Sequence, residues 1–331
     1  MGRGLNTGRV PTLKVRLHDK LALGYEGFMK HFCNRLASRR LTGLFAVSLL
    51  LMVITNAFAQ GASFQDYSID YDTPTDPALQ KKIEAIDSRL REKHGLGETN
   101  TAVGVLDLKQ LRLAMIDPDR GEYAASVPKI GILLAYFHLK PEAVTNLNSE
   151  TRHELGLMAK ASSNEAAAKF SREMGLKRIQ EVLNSYQFYN EKRGGGLWVG
   201  KHYGRGDERY GDPVGDNSHA ATVRQLLRYY LMLEQGKLLS PEASKLMREI
   251  FASPDIPHDN IKFVKGLEGR NVQIIRKWGS WQHWLHDSAI ITGPGRHYIL
   301  VALTTHKNGD KYLEDLAREV DDLFIVKDAG K

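Results

Sequence analysis

The sequence predicts an α+β fold: a five-stranded antiparallel sheet, flanked by one N-terminal and one C-terminal helix, with an inserted all-helical subdomain. Two runs rich in strand-forming residues, 101–108 and 111–116, follow an amphipathic helix, and three more lie near the end of the chain. Mainly helical periodicity separates the two groups. Strands joined by short turns pair antiparallel, so the helical block must be inserted between the second and third strands.

Local signals delimit the elements in chain order. Residues 74–94 carry Leu79, Ile83, Ile86 and Leu90 at helical spacing with charges between them, which indicates a surface helix. After the two strands, a buried helix follows a turn at 117–121 and ends at Lys140-Pro141. Further helices are predicted over 150–161, 164–174, 176–186, 218–235 and 240–252, strands over 272–277, 286–292 and 297–305, and a last helix around Leu313, Leu316, Val320 and Leu323.

A glycine-rich segment, 192–217, interrupts the helical block. A loop of this length inside a compact domain is usually functional or mobile. Ser218 follows the segment and is predicted to cap the helix that runs to Gln235.

The N-terminus predicts export. A basic region precedes an uncharged apolar run from Leu44 to Ile54, and Ala57-Phe58-Ala59 supplies the small residues of a cleavage site. We therefore expect a signal peptide cleaved after Ala59 and a periplasmic or secreted protein. The alternative is an uncleaved membrane anchor, because 41–59 carries no charge. We divide the chain into an N-terminal extension, 1–59, and one domain, 60–331, whose sheet part comprises 74–125 and 265–331 and whose helical subdomain is 126–264.

Composition excludes several classes of protein. The net charge of +7 comes from the extension, since 1–59 holds nine of the 46 basic and two of the 39 acidic residues, which leaves 37 of each. The domain therefore gives no electrostatic case for nucleic acid, and membrane contact is expected only through the extension. The single cysteine, Cys33, excludes a disulfide framework and a four-thiolate zinc site.

The stretch Ser126-Val127-Pro128-Lys129 opens the apolar helix and carries the candidate chemistry. Pro128 suits a first helical turn, so Ser126 is predicted at or near the N-cap, with Lys129 one turn along the same face. A lysine at the mouth of a buried helix loses hydration, which favours the neutral amine, and a neutral amine beside a hydroxyl is a base beside a nucleophile. The alternative is that Ser126 is only a helix cap and Lys129 only a solvated charge.

Two further motifs follow in order. Ser162-Ser163-Asn164 lies between two predicted helices, where Asn164 can cap the second. Lys277-Trp278-Gly279-Ser280 ends or runs along the third strand, and Lys277 is singled out because it follows a strand-like run and precedes a hairpin. His283, His286 and Asp287 lie just beyond, but such a cluster on a strand more often consists of solvated polar side chains than of metal ligands.

Together the three motifs resemble the S-x-x-K, S-D-N and K-T-G elements of the penicillin-recognising serine hydrolases, most closely the class A β-lactamase-like branch. The resemblance covers the chain from about Pro74 to the last helix. It implies a serine hydrolase that attacks β-lactams or acyl-D-alanine-type amides through an acyl-enzyme on Ser126. It also implies a small β-lactam or peptidoglycan-derived peptide as substrate, with no cofactor and no metal. We expect a monomer.

The resemblance also implies a role for each matched residue. Ser126 would be the nucleophile, Lys129 would accept its proton, and the Ser162 hydroxyl would relay a proton to the leaving nitrogen. Residues expected to bind substrate are Asn164, Lys277, Gly279 and Ser280. The backbone N–H groups of Ser126 and Ser280 would form the oxyanion hole.

Three departures from the family pattern leave alternatives open. Ser163 replaces an acid, and Trp278 replaces a hydroxyl residue, although strand alternation could direct Trp278 to the opposite face. The E-x-x-L-N pattern of the deacylating glutamate is absent from 192–217, where Glu208 is the only acid of the right type. Without such a base, Ser126 would react with a β-lactam and stay acylated, as in a penicillin-binding protein. The second alternative is therefore a D,D-peptidase or a slowly deacylating penicillin-binding protein. A non-catalytic binding module on the same fold is the third alternative.

Overall fold

The computed structural model describes residues 63–204, 206 and 208–325. These lie almost entirely in the second of the two units into which the chain divides, Met1–Ser63 and Phe64–Lys331. The predicted signal peptide, its cleavage after Ala59 and Cys33 fall outside the described residues. Within the described part of the chain, no helix is both long enough and apolar enough to cross a bilayer.

The main sheet has five antiparallel strands: β1 (Thr101–Asp107), β2 (Arg112–Ile116), β8 (Gln273–Trp281), β9 (Trp284–Gly293) and β10 (Arg296–Thr305). Their order across the sheet is β2-β1-β10-β9-β8. Strands β1 and β10 pair centrally, with Gly104 opposite Val301, and β8 occupies an edge. The predicted fold class is confirmed.

Ten helices surround the sheet in the described residues. They are α1 (Pro77–His94), α2 (Lys129–Leu139), α3 (Ala143–Asn146), α4 (Ser149–Ala159), α5 (Asn164–Met174), α6 (Leu176–Ser185), α7 (Val223–Glu234), α8 (Pro241–Phe251), α9 (Lys262–Gly266) and α10 (Gly309–Phe324). Short 3₁₀ turns lie at Glu98–Asn100 and Glu191–Arg193.

The sheet separates two hydrophobic cores because alternate residues of each strand face opposite sides. Leu106, Ile290 and Ile299 face the helical block and belong to the same core as the buried helix α2. The residues next to them in the strands, such as Ala289 and Leu300, face the other side and pack against α1 and α10. By the same alternation, Lys277 and Gly279 lie on the same side as Ile275, which faces the helical block.

The structure corrects the predicted start of α7. His219–Ala221 forms a strand, β7, that joins β3 (Glu122–Tyr123) and β6 (Trp198–Val199) in a small sheet. The helix therefore begins at Val223, and its N-cap is Thr222, whose side chain accepts from the Gln225 N–H. Ser218 is not the cap. Within the glycine-rich segment, β4 (Tyr189–Asn190) pairs with β5 (Gly195–Gly196).

Candidate active site

The predicted nucleophile lies in a series of turns between β3 and α2. The Val127 N–H donates to Ala124 O at 3.0 Å, and the Lys129 N–H donates to Ser126 O at 3.3 Å. The N-cap of α2 is Pro128, and no side chain caps the helix. Ser126 therefore lies two residues before the N-cap, near it as predicted but not at it. The half-buried Ser126 hydroxyl is not used for capping, which removes the alternative of a simple helix cap.

Lys129 is fully buried and connects α2 to the second motif. Its Nζ donates to Ser162 O at 2.6 Å and to Asn164 Oδ1 at 2.7 Å, and it lies 3.4 Å from Ser162 Oγ. Burial lowers the pKa of Lys129 to about 7. No carboxylate among the described residues forms an ion pair with it. Lys129 is thus a candidate general base near neutral pH, and the alternative of a solvated charge is wrong.

The second motif turns sharply to meet Lys129. Ser162 has a left-handed backbone with φ of 60°, a conformation that costs free energy in a residue with a Cβ. Ser163 is the N-cap of α5, and its Oγ accepts from the Ala166 N–H at 3.1 Å. The prediction that Asn164 caps this helix is therefore wrong. Because Ser163 supplies the cap, the Asn164 amide is free to accept from Lys129.

Strand β8 closes the other side of the nucleophile turn through Gly279. A Cβ added to Gly279 would lie 2.6 Å from Ala124 O and 3.0 Å from Ser126 N. Only glycine allows this approach of strand backbone to turn backbone. The contact brings β8 against the Ser126 N–H, and Ser280 follows Gly279 directly in the strand. Both expected oxyanion donors therefore belong to segments that meet at this contact.

Lys277 lies one pleat away from Gly279 on the same face of β8. It is fully buried, and its Nζ donates to Trp278 O at 2.8 Å. Burial lowers the pKa of Lys277 well below its usual value, and the charge of nearby Lys129 lowers it further. A bound substrate carboxylate would favour the protonated amine, because opposite charges raise the pKa of a lysine.

Lys262 supports β8 from its other face, and the sequence analysis missed it. This fully buried first residue of α9 donates from Nζ to Gly279 O at 3.2 Å and to the Ser280 hydroxyl. Asp310 lies 3.6 Å away and offsets the charge. No motif marked this residue, since it lies in a short loop-like helix and meets β8 only in the folded chain.

Trp278 also lies on the α9 side of β8. Its partner across the strands, Asp287, accepts from the Phe263 N–H of α9 at 3.1 Å and pairs with buried Arg276 at 3.0 Å. The Trp278 ring centroid is 4.8 Å from Lys262 Nζ and 5.1 Å from Lys277 Nζ. The alternative in which Trp278 packs on the opposite face is therefore confirmed.

The glycine-rich segment contributes an aromatic residue to the site rather than an acid. The Tyr203 hydroxyl donates to Ala125 O at 3.1 Å, and its ring centroid is 4.5 Å from Lys129 Nζ. The ring stacks on His219 at 4.1 Å. Burial and the nearby lysine charges lower the pKa of His219 to about 3, so its imidazole is neutral. Sequence reasoning missed both residues; the only signal was the length of the segment.

The structure does not bring Glu208 to Lys129. The Glu208 side chain is exposed, accepts from the Tyr210 hydroxyl and lines a separate cavity. His286 is a structural residue, since Nε2 donates to Tyr123 O and Nδ1 accepts from the Thr304 N–H. Across the described residues, no three His, Cys, Asp or Glu side chains are arranged to hold a metal ion.

Comparisons with known proteins identify a family and a fold for this chain. The sequence profile described as the beta-lactamase enzyme family matches residues 142–324. No curated protein sequence matches the chain. A beta-lactamase from Sphaerobacter thermophilus is similar in structure, with a TM-score of 0.60 and 14% identity over 76% of this chain and 99% of that chain.

Two further solved structures are similar over most of their length. PBP-A has a TM-score of 0.58 and 17% identity over 76% of this chain and 98% of its own. A PBP-A variant, described as an acyl-enzyme complex with penicillin G, has a TM-score of 0.59 and 16% identity over 76% and 99%. At these identities the structural likeness establishes the fold.

Proposed function

The chain belongs to the beta-lactamase enzyme family, and from this premise we propose that it acylates Ser126 with β-lactams or acyl-D-alanine-type amides. The observation that carries the proposal is the buried Lys129 amine, which donates to Ser162 O and lies against the ring of Tyr203, whose hydroxyl binds Ala125 O next to Ser126. Burial lowers the pKa of Lys129 to about 7, and a base whose pKa lies near the operating pH suits general base catalysis.

The proposed acylation uses residues of all three motifs. The Ser126 proton passes to Lys129 Nζ, directly or through Ser162 Oγ, while Ser126 Oγ attacks the carbonyl carbon. The N–H groups of Ser126 and Ser280 stabilise the oxyanion. The amide C–N bond then breaks, and Ser162 delivers a proton from the Lys129 ammonium to the leaving nitrogen. Lys277 and Asn164 hold the substrate carboxylate and side-chain amide.

Mass spectrometry tests this proposal directly. Incubation with penicillin G should add the mass of the whole drug, with the adduct on the peptide that contains Ser126. Ser126→Ala should give no adduct, whereas the matched surface change Ser185→Ala should react like the wild-type protein. The absence of any adduct on wild-type protein at millimolar drug would contradict the proposal.

We propose further that the acyl-enzyme is long-lived, as in a penicillin-binding protein. The proposal is supported by the surroundings of Lys129, which lies against the ring of Tyr203 and pairs with no described carboxylate that could activate water. Glu208, the candidate deacylating base, binds the Tyr210 hydroxyl instead. The adduct should therefore outlast a chromogenic cephalosporin assay with little turnover. Fast turnover that is lost in Glu208→Gln would instead indicate a β-lactamase with Glu208 as the deacylating base.

We also propose that 1–59 directs export, on the basis of its basic, apolar and small-residue order. Expression in a Gram-negative host should place a protein beginning at Gln60 in the periplasm. A full-length product retained in the membrane fraction would support the uncleaved anchor instead.

A further inference from the structure

The turn that carries Ser126 is strained and must be held by its surroundings. Ala125, directly before Ser126, has a left-handed backbone with φ of 49°. This conformation costs free energy in a residue with a Cβ, and it persists only where neighbouring groups fix it. The position of the nucleophile therefore depends on the groups that bind this turn.

Contacts from two segments of the chain fix the turn. The Tyr203 hydroxyl donates to Ala125 O at 3.1 Å. The Ala124 N–H donates to the backbone oxygen of His219 in β7 at 2.9 Å. The rings of Tyr203 and His219 stack on each other, with centroids 4.1 Å apart and an angle of 3° between their planes. The turn, the tyrosine and the histidine thus form a closed set of contacts.

The same tyrosine ring reaches the proposed base. Lys129 Nζ lies over the Tyr203 ring, 4.5 Å from its centroid. An aromatic face at this distance attracts an ammonium group and favours the protonated amine. Tyr203 therefore contacts both sides of the proposed proton transfer, the peptide next to the nucleophile through its hydroxyl and the amine through its ring.

His219 supplies a flat surface rather than an acid or a base. Its side chain is buried, and its Nδ1 has no hydrogen-bond partner among the described residues. Burial, together with the charges of Lys129 and Lys201, lowers the pKa of His219 to about 3, so the imidazole is neutral. A neutral ring that covers another ring acts through its shape.

We propose that Tyr203 is a positioning residue for acylation, which holds the Ser126 turn and the Lys129 amine in fixed relative positions, and that His219 keeps the tyrosine ring in place. The inference deepens the acylation proposed above and rests on it. Neither residue forms or breaks a covalent bond. Both fix the distance between nucleophile and base, on which the reaction rate depends steeply.

The groups that face Lys129 decide how its protonation can be measured. They come from four segments of the chain and are Ser162 with Asn164, Tyr203, His219 and Lys277. Burial raises the pKa of Tyr203 well above its usual value, so its hydroxyl stays neutral. Among these described groups only Lys277 can change charge together with Lys129. No variant below alters Lys277, so its effect cancels when variants are compared.

The first test follows the Lys129 amine and needs no substrate. NMR titration of protein with ¹³C-labelled lysine reports protonation through the Cε signal of Lys129, which is assigned by its absence in Lys129→Met. Tyr203→Leu keeps the surroundings apolar but removes the aromatic face, so the titration midpoint should fall by about 0.5–1 pH unit. Tyr203→Phe keeps the face and should titrate like the wild type, as should Tyr210→Leu, which changes an exposed tyrosine of the same segment.

The second test measures acylation of the same variants by stopped flow with a fluorescent penicillin. Tyr203→Phe loses only the hydrogen bond to Ala125 O, so its acylation rate constant should fall about fivefold with little change in affinity for the drug. Tyr203→Leu should lose at least about 20-fold. Tyr210→Leu should match the wild type.

Two further variants test the support from His219. His219→Leu has a similar volume but no flat ring, and its acylation rate constant should fall about tenfold. His219→Phe supplies a flat ring without the ring nitrogens and should restore the rate to within about twofold of the wild type. Equal rates in these two variants would overturn the role of His219.

The outcomes for Tyr203 separate this inference from the proposed function. An unchanged Lys129 midpoint in Tyr203→Leu, or acylation within about twofold of the wild type in both Tyr203 variants, would overturn the inference while acylation itself stands. A wild-type protein that forms no adduct would contradict the proposed function, and the titration would still show whether the Tyr203 ring acts on Lys129.

Discussion

The contact between Gly279 and the nucleophile turn predicts that Gly279→Ala strongly impairs acylation in a domain that still folds. The added Cβ would lie 2.6 Å from Ala124 O, whereas a carbon and an oxygen in contact normally lie about 3.3 Å or more apart. Ala124 O is held in place because it accepts from the Val127 N–H, so β8 must retreat by roughly 0.7 Å. A misplacement of about 1 Å at a reacting centre costs about 100-fold in rate.

We therefore expect the second-order acylation rate constant of Gly279→Ala to fall about 30- to 100-fold. Strain in a packed region should lower the free energy of unfolding by about 1–3 kcal/mol. Acylation is measured with a fluorescent penicillin, and stability by urea denaturation. The control is Gly131→Ala, whose added Cβ meets only the ends of Leu183 at 3.1 Å and Leu197 at 3.4 Å. An acylation rate within threefold of wild type in Gly279→Ala would refute the reasoning.

Three further predictions concern buried charges near the site. Because the pKa of Lys129 is lowered to about 7 and the neutral amine is the base, the acylation rate should rise as pH increases through about 7 and level off above about 8. An acylation rate independent of pH from about 6 to about 9 would exclude Lys129 as the general base. Lys262→Met removes the donor to Gly279 O and should slow acylation about tenfold, while substrate affinity changes little. The exposed control Lys265→Met should match the wild type. An unchanged acylation rate constant, measured by stopped flow, would argue against the role of Lys262 in positioning β8. Asp287→Ala leaves the fully buried Arg276 without its ion-pair partner and should lower the free energy of unfolding by about 3–5 kcal/mol in urea denaturation. A loss below about 1 kcal/mol would contradict a buried ion pair between Arg276 and Asp287.

Much of the site could be predicted from short spacings along the chain. Ser126 and Lys129 are three residues apart at the start of one apolar helix, so the burial of the amine follows from local geometry. The strand that carries Lys277 and Gly279 was predicted from its alternation and from the hairpin that follows. Capping was less predictable, because Ser163 and Asn164 are both good N-cap residues and only the backbone turn at Ser162 selects the first.

The residues that the sequence analysis missed act across long separations. Lys262 meets Gly279 and Ser280 through the back of β8, and Tyr203 reaches Ala125 from a glycine-rich segment with few periodic signals. Neither contact leaves a motif, because each depends on how two segments distant in sequence pack together.

The sequence by itself determined the order of the main helices and the five long strands, the α+β architecture and the three motif segments, since hydrophobic periodicity and turn residues act over a few positions. Only the tertiary structure decided which groups surround the Lys129 amine. It placed the ring of Tyr203 there and left Glu208 at another cavity. The physical reason is that the path of a long loop is set by packing against the rest of the domain, whereas its own residues impose little on it.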